Sequence, residues 1–344
     1  MSAFHKSAMK KPSSETIWQM TETELLAFLK KTFRFRTVRF YAPSFMYYKT
    51  RYYCSSSREF PTISITGKGC ALECKHCGGK VLETMYPANT SEKLFNLCQQ
   101  LKRDGASGCL ISGGCLPDGS VPIERFVDTI EKVKRELGLT VFVHTGIIDS
   151  DTARKLKNAG ADAALIDVIG SDETIREIYN LNTSVKDYEN SLSALHQADI
   201  TFVPHVIVGL HYGNLKGEFD ALKMISKYNP TALVIIAFMP IHGTKMADIK
   251  PPEPMDIVRV ITAARLEFPE TPLVLGCMRP KGKHRVKTDI LAIEAGVDAI
   301  AFPAEEAIKF AEKQGCNIAF SSFCCAQIYR DVKTAQWKQK LEIE

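Results

Sequence analysis

From Thr62 onward, short apolar runs alternate with longer amphipathic ones. Runs rich in Ile, Val, Leu and Phe occupy 62–66, 108–112, 139–144, 162–167, 201–208, 231–238, 272–277 and 297–302. They are nearly continuous in apolar character, as strands buried on both faces are. Between them the spacing becomes helical near 90–104, 122–137, 150–159, 171–198 (interrupted), 217–228, 253–268 and 286–295, with a last helix over 304–315. Gly105, Gly138, Gly160 and Gly296 fall late in or just after these helices, where glycine ends a helix without strain. Eight βα units in sequence predict an α/β fold, a (β/α)8 TIM-type barrel over 60–316.

The flanks read differently. Residues 1–59 form an N-terminal extension. Within it Thr21-Glu22-Thr23-Glu24 has the form of a capping box, and Leu25, Leu26, Phe28 and Leu29 follow, so a short helix is expected. Next come Lys30, Lys31, Arg34, Arg36, Arg39, Tyr41, Phe45, Tyr47, Tyr48, Arg51 and Tyr52. This stretch is either a solvated face packed on the barrel or a docking surface for an acidic partner. Residues 317–344 read as a tail carrying the pair Cys324-Cys325.

Composition narrows the function classes. With 45% hydrophobic and 24% charged residues, the 344-residue chain can bury a core and need not be disordered. The longest apolar run, Ala232 to Met239, falls far short of the roughly 18 residues of a membrane span. Met1 to Ser14 is polar and basic without an apolar stretch, so no secretory signal is expected and the cytoplasm is the default location. A net charge of +5 does not by itself call for nucleic acid. Eleven cysteines, an odd and clustered set, point to metal rather than to a disulfide framework.

In such a barrel the active site lies at the C-terminal strand ends. The first predicted strand ends in Gly67-Lys68-Gly69-Cys70-Ala71-Leu72-Glu73-Cys74-Lys75-His76-Cys77-Gly78-Gly79. Three cysteines on one glycine-flanked loop can wrap an iron–sulfur cubane and leave one iron open. A zinc knuckle on Cys74 and Cys77, with or without His76, is the alternative, but no second paired half follows. The second strand ends in Ser112-Gly113-Gly114-Cys115, the third in His144-Thr145-Gly146 and the fourth in Asp167-Val168-Ile169-Gly170. The fifth ends in Val208-Gly209-Leu210-His211, the sixth in Met239-Pro240-Ile241-His242 and the seventh in Gly276-Cys277-Met278-Arg279-Pro280. His144, His205, His211 and His242 could each be acid, base or ligand, or simply line the barrel mouth. Cys115, Cys277, Cys324 and Cys325, with Cys54 as an outlying candidate, either hold a second iron–sulfur cluster or are separate buried thiols. Cys98, Cys109 and Cys316 read as structural.

The Cys-x3-Cys-x2-Cys array at the first strand end resembles the signature of the radical S-adenosylmethionine (SAM) superfamily, with His76 where Tyr, Phe or Trp is usual. The resemblance implies that Cys70, Cys74 and Cys77 hold a [4Fe–4S] cluster whose open iron binds SAM, and that reductive cleavage of SAM gives a 5′-deoxyadenosyl radical. It also implies SAM contacts at Ser112, Gly113 and Gly114 (similar to a "GGE" motif, with Cys115 in place of Glu), at Asp167 on the ribose, and at Gly209 and Met239 by the adenine. No side chain is assigned as catalytic. A full barrel, the run Phe60 to Gly67, the segment Gly78 to Met85 and the late cysteines are similar to the biotin-synthase-like group, and within it to the archaeal-type two-component lipoyl synthases. That likeness implies sulfur insertion into an octanoyl chain on a carrier protein or peptide. It implies a paralogous radical SAM subunit as partner, a ferredoxin or flavodoxin as electron donor, and a second cluster as sulfur source. Neither nucleic acid nor membrane is implied. Another radical SAM reaction, on a small metabolite, is the alternative.

Overall fold

Alternation within each strand decides its two faces. The computed structural model describes residues 12–33, 36–56 and 58–333, so Met1 to Lys11, Arg34 and the end of the tail lie outside the described residues. In β5 (Thr140–His144), Val141 and Val143 pack outward on helices while Phe142 packs inward. In β6 (Ala163–Asp167), Ala164 and Ile166 face outward, and Ala163 and Leu165 inward. In β7 (Phe202–Val208), Val206 and Val208 face outward and Val203 inward. The same period of two carries His144, Asp167 and His205 to the inner face.

The remaining strands are β1 (Thr37–Tyr41), β2 (Thr62–Ser64), β3 (Tyr86–Pro87), β4 (Gly108–Ser112), β8 (Leu233–Ala237), β9 (Leu273–Leu275), β10 (Ala299–Ala301) and β11 (Asn317–Ser321). All eleven are parallel, in the order β11-β1-β10-β9-β8-β7-β6-β5-β4-β2-β3. The sheet curls around an apolar interior to which β1, β5 through β10 and the residues after β11 all contribute. Each of the eight predicted strands is present, as are the helices between them. The helices include α1 (Ser14–Gln19), α2 (Glu22–Thr32), α3 (Ser91–Arg103), α4 (Val127–Lys132), α5 (Ser150–Asn158), α6 (Asp172–Tyr179), α7 (Val185–Gln197), α8 (Glu218–Ser226), α9 (Pro254–Glu267), α10 (Lys283–Ala295) and α11 (Glu305–Lys313), the first two preceding β1. No helix among the described residues is long and apolar enough to cross a membrane.

The boundaries drawn at 60 and 316 do not match the sheet, because both flanks enter it. β1 lies between β10 and β11, with Val38, Phe40 and Tyr41 fully buried. Its basic residue Arg39 reaches the Asp331 carbonyl at 3.3 Å, so much of this stretch is built into the fold rather than displayed. The capping box is formed: the Thr21 backbone N–H donates to Glu24 at 2.8 Å. It starts helix Glu22–Thr32, which packs beside α10, while Arg259 of α9 donates to the carbonyls of Ile17 and Met20.

Past β11 the tail turns back down through the interior. Cys325, Ala326, Ile328 and Tyr329 pack among the inward-facing residues, and the Tyr329 hydroxyl donates to the Asp162 carbonyl, 2.9 Å away, at the N-terminal end of β6. The Tyr41 hydroxyl donates to Asp331 at 2.6 Å. This segment stops the floor of the curl. At the β11 edge Tyr53 stacks on Phe320 and hydrogen-bonds Ser322 at 2.6 Å. The open end is therefore the C-terminal one, where the candidate chemistry lies.

Candidate active site

The cysteine loop leaves β2 and is clamped from both sides. Asn180, just past α6, donates its amide to the carbonyls of Leu72 (3.2 Å) and Glu73 (3.1 Å), and the Lys75 N–H donates to the Ile178 carbonyl at 2.8 Å. Glu73 takes a left-handed φ of 47°, a turn that these bonds hold. On the other side Gly114 presses against the loop. A Cβ at Gly114 would stand 2.0 Å from the Gly69 carbonyl oxygen and 2.6 Å from the Cys70 Cβ, and its N–H donates to the Thr66 hydroxyl at 2.7 Å. Glycine is required there by the cluster loop itself. We expect Gly114→Ala to displace Cys70 and lower the iron bound by the loop, read as iron per chain after anaerobic reconstitution; full iron loading would refute the close approach.

Donor atoms of Cys74, His76 and Cys77 lie within 4.8 Å of one another, while Cys70 stands outside that group. One small ion gathers all its donors around a single centre, whereas cysteines on different irons of a cubane stand apart. The Cys74 thiol donates to Cys77, lowering the Cys77 pKa against the effect of burial, with His76 adding to it; Cys74 is raised in turn. His76 Nδ1 and the Tyr179 hydroxyl are buried without hydrogen-bond partners, and their rings lie 5.2 Å apart. Nothing in the sequence marked Tyr179 beyond its place at the end of a helix. These orphaned polar groups and a three-thiol loop fit a [4Fe–4S] cluster with a polar ligand on it.

Beyond the loop, the structure divides the remaining sequence candidates into separate sites. Cys115 belongs to the first site: burial and then Cys70, Asp167 and Cys77 push its thiol up to about 12. Cys277, Cys324 and Cys325 form a second gathering. Burial and then Cys324 raise Cys277 to about 11, and Cys325 donates to Cys324, which is lowered while Cys325 is raised. The four cysteines grouped from the sequence, Cys115, Cys277, Cys324 and Cys325, thus fall in two places: four strands lie between β4 and β9, which puts Cys115 and Cys277 on different parts of the rim. Cys54 is exposed and joins neither group, and Cys98 and Cys109 are buried together as structural thiols.

Asp167 lies at the centre of the mouth. The His144 Nε2 is 3.5 Å from its Oδ1, and the His144 and His205 rings are 5.9 Å apart. Burial opposes the Asp167 charge, but His144, then His205 and His76, outweigh it and lower its pKa. Burial likewise disfavours the His144 imidazolium, and Asp167 raises it on balance. His205 is pushed down to about 4, chiefly by burial, and stays neutral. His211 instead contacts Thr174 at 3.2 Å and Glu173 at 3.6 Å, and His242 is exposed, so neither joins this cluster.

Ser112 is half-buried at the end of β4, and Met239 is half-buried just after β8. Gly209 adopts φ +71°, and a Cβ would meet Pro252 at 2.6 Å. Its N–H is committed to the Glu218 carboxylate at 2.8 Å, and the Lys216 N–H also donates to Glu218. Glu218 was not singled out from sequence. Burial raises it from 4.5 to about 7. A carboxyl with a raised folded pKa favours folding fully below pH 4.5 and loses that contribution as pH rises through 7, a difference on the order of 3 kcal/mol. Urea midpoints of the native chain should therefore fall between pH 5 and pH 8 more than those of Glu218→Gln; parallel pH profiles would show that Glu218 does not titrate.

A model of the Radical SAM superfamily matches residues 64–224, from the end of β2 through most of α8. With the cysteine loop at its strand end, this gives the chain a radical SAM domain over 64–224, whose cofactors are a [4Fe–4S] cluster and SAM. Within that class the sequence is similar to biotin synthases. It is 27% identical to that of Prochlorococcus marinus over 252 residues, covering 70% of this chain and 73% of the relative, and 25% identical to that of Leptothrix cholodnii, covering 70% of each. In fold it is similar to HydG, a maturase of the [FeFe]-hydrogenase (TM-score 0.62, 15% identity, covering 93% of this chain and 73% of HydG). It is also similar to methylornithine synthase, PylB (TM-score 0.57, 16% identity, 94% and 93%).

Proposed function

We propose that this enzyme inserts sulfur into a protein-bound octanoyl chain, and that Cys277, Cys324 and Cys325 hold the cluster that supplies it. The observation behind this reading is the second gathering of thiols at the rim, separate from the SAM-cleaving loop. When bound, the first cluster supplies the electron that splits SAM into methionine and a 5′-deoxyadenosyl radical. The chain's own part is placement. Cys70, Cys74 and Cys77 fix the cluster, Gly113 and Gly114 bring backbone up to it, and Asp167 offers a carboxylate to the SAM ribose. Ser112, Gly209 and Met239 complete the SAM pocket, with the Gly209 turn fixed by its N–H donating to Glu218 and its carbonyl accepting from the Gly213 N–H at 2.8 Å. The tail closes the floor, so substrate enters at the mouth. A paralogous radical SAM subunit, an octanoylated carrier and a ferredoxin or flavodoxin are the proposed partners.

Anaerobic incubation with SAM, a reductant, the paralogous subunit and an octanoylated carrier peptide, followed by mass analysis, tests this directly. Sulfur-bearing peptide is expected, and unaltered peptide beside 5′-deoxyadenosine would overturn the assignment. The second reading, a reaction on a small metabolite, draws on the charged cluster of His144, Asp167 and His205, more polar than an aliphatic chain requires.

A further inference from the structure

We propose that His144, Asp167 and His205 form a binding site for a divalent transition ion of the zinc class, at the mouth of the curl and distinct from both groups of thiols. The three side chains come from adjacent strands. Asp167 and His205 are direct partners across β6 and β7, and His144 pairs with Leu165 one strand over. All three point inward by the alternation that sends Phe142, Leu165 and Val203 into the interior.

Their donor atoms lie within 4.8 Å of one another. Zinc–nitrogen and zinc–oxygen bonds of about 2.0–2.2 Å set neighbouring donors of a tetrahedral site about 3.3 Å apart. The His144 Nε2 and Asp167 Oδ1 are 3.5 Å apart, longer than a good hydrogen bond and close to the separation of two donors on one ion.

The outer contacts agree. The His205 Nδ1 lies 3.1 Å from the Val203 carbonyl oxygen. An N–H donated there would fix the tautomer and leave the Nε2 lone pair free for the ion. Metal-bound histidines are held in this way, by a backbone carbonyl or carboxylate on the other ring nitrogen. The donor set, two imidazoles and one carboxylate without a thiolate, differs from that of the cysteine loop and suits zinc or a similar ion. Three protein ligands leave a coordination position open, as in catalytic rather than structural zinc sites. That position would take a Lewis-basic oxygen or sulfur of the substrate and orient it toward the SAM pocket. A carboxylate has two oxygens, so Asp167 can serve the ion with one and the ribose with the other.

The test uses the full chain with its iron–sulfur clusters reconstituted, and zinc sulfate as the probe. One zinc per chain beyond the iron should survive desalting, with X-ray absorption showing only nitrogen and oxygen around it. His144→Gln and His205→Gln should each weaken zinc binding by at least about 100-fold, more than the 10- to 100-fold that an outer-shell partner is worth. Their iron content and cluster spectra should be unchanged, which sets this outcome apart from loss of the SAM-cleaving site. Absence of retained zinc in the native chain, sulfur in its coordination shell, or equal zinc binding by both variants would each overturn the site. The absorption measurement on the native chain decides the matter even where a variant fails to fold.

Discussion

Replacing Cys70, Cys74 and Cys77 together by Ala is expected to abolish SAM cleavage completely. The loop that carries them is ordered by protein contacts, not by metal alone: Asn180 holds its carbonyls, Gly114 fills its concave side, and the Ala71 N–H donates to the Cys115 carbonyl at 2.8 Å. The triple variant should therefore fold, keep its sheet and lose only the iron of this site. A protein prepared with the second group of thiols intact should fall from about eight irons per chain to about four. No 5′-deoxyadenosine should form with any reductant, because the groups proposed to hold SAM, Gly114 and Asp167 among them, gather beside this loop and not beside Cys277, Cys324 and Cys325. Continued 5′-deoxyadenosine formation by the triple variant would remove this loop from the chemistry. A chain that fails to fold would instead show that the loop depends on its cluster, and the single Cys77→Ala variant, which keeps the clamped part of the loop, then carries the test.

Much of this arrangement was legible in the chain, and what was hidden has physical causes. The eight predicted strands were visible because strands covered on both faces must be apolar along their whole length. β1 was not. Its Thr37-Val38-Arg39-Phe40-Tyr41 places an arginine mid-strand, and the pairings that bury it come from β10 and β11, some 260 and 280 residues away. β11 is short and follows the last predicted helix, so it read as tail. Motif spacing brought out the cysteine loop, and alternation within strands was enough to turn His144, Asp167 and His205 inward. Spacing could not say which strand-end cysteines meet, since that depends on strand order: Cys115 and Cys277 both follow strands yet stand on different parts of the rim. Glu218 and Tyr179 were invisible for another reason. A buried carboxylate or an orphaned hydroxyl is defined by what packs around it, and neither leaves a mark on its own segment.

Converting Cys324 and Cys325 to Ala is expected to separate SAM cleavage from the proposed sulfur transfer. Both residues sit where the tail turns from the rim into the interior, Cys325 packed among Tyr41, Ala301 and Phe302, and Cys324 against Cys277. Among the described residues the thiols that act on them are each other and Cys277, with nothing from Cys70, Cys74 or Cys77. The first site should thus be untouched, so 5′-deoxyadenosine should still form at close to the native rate. Sulfur transfer to the octanoylated peptide should cease, since a cluster left with Cys277 alone cannot be retained, and iron should fall from about eight to about four per chain. Structural thiols predict otherwise. Trimming one buried sulfur costs on the order of 1 kcal/mol, within the range of ordinary core substitutions, and leaves iron content unchanged. Cys115→Ala sharpens the contrast, because Cys115 lies by the first site: it should disturb SAM cleavage while leaving the iron held at the rim in place. Full iron in the Cys324, Cys325 double variant together with normal sulfur-bearing product would exclude these residues as holders of the sulfur source. The reading would then move to a reaction at the polar mouth around Asp167.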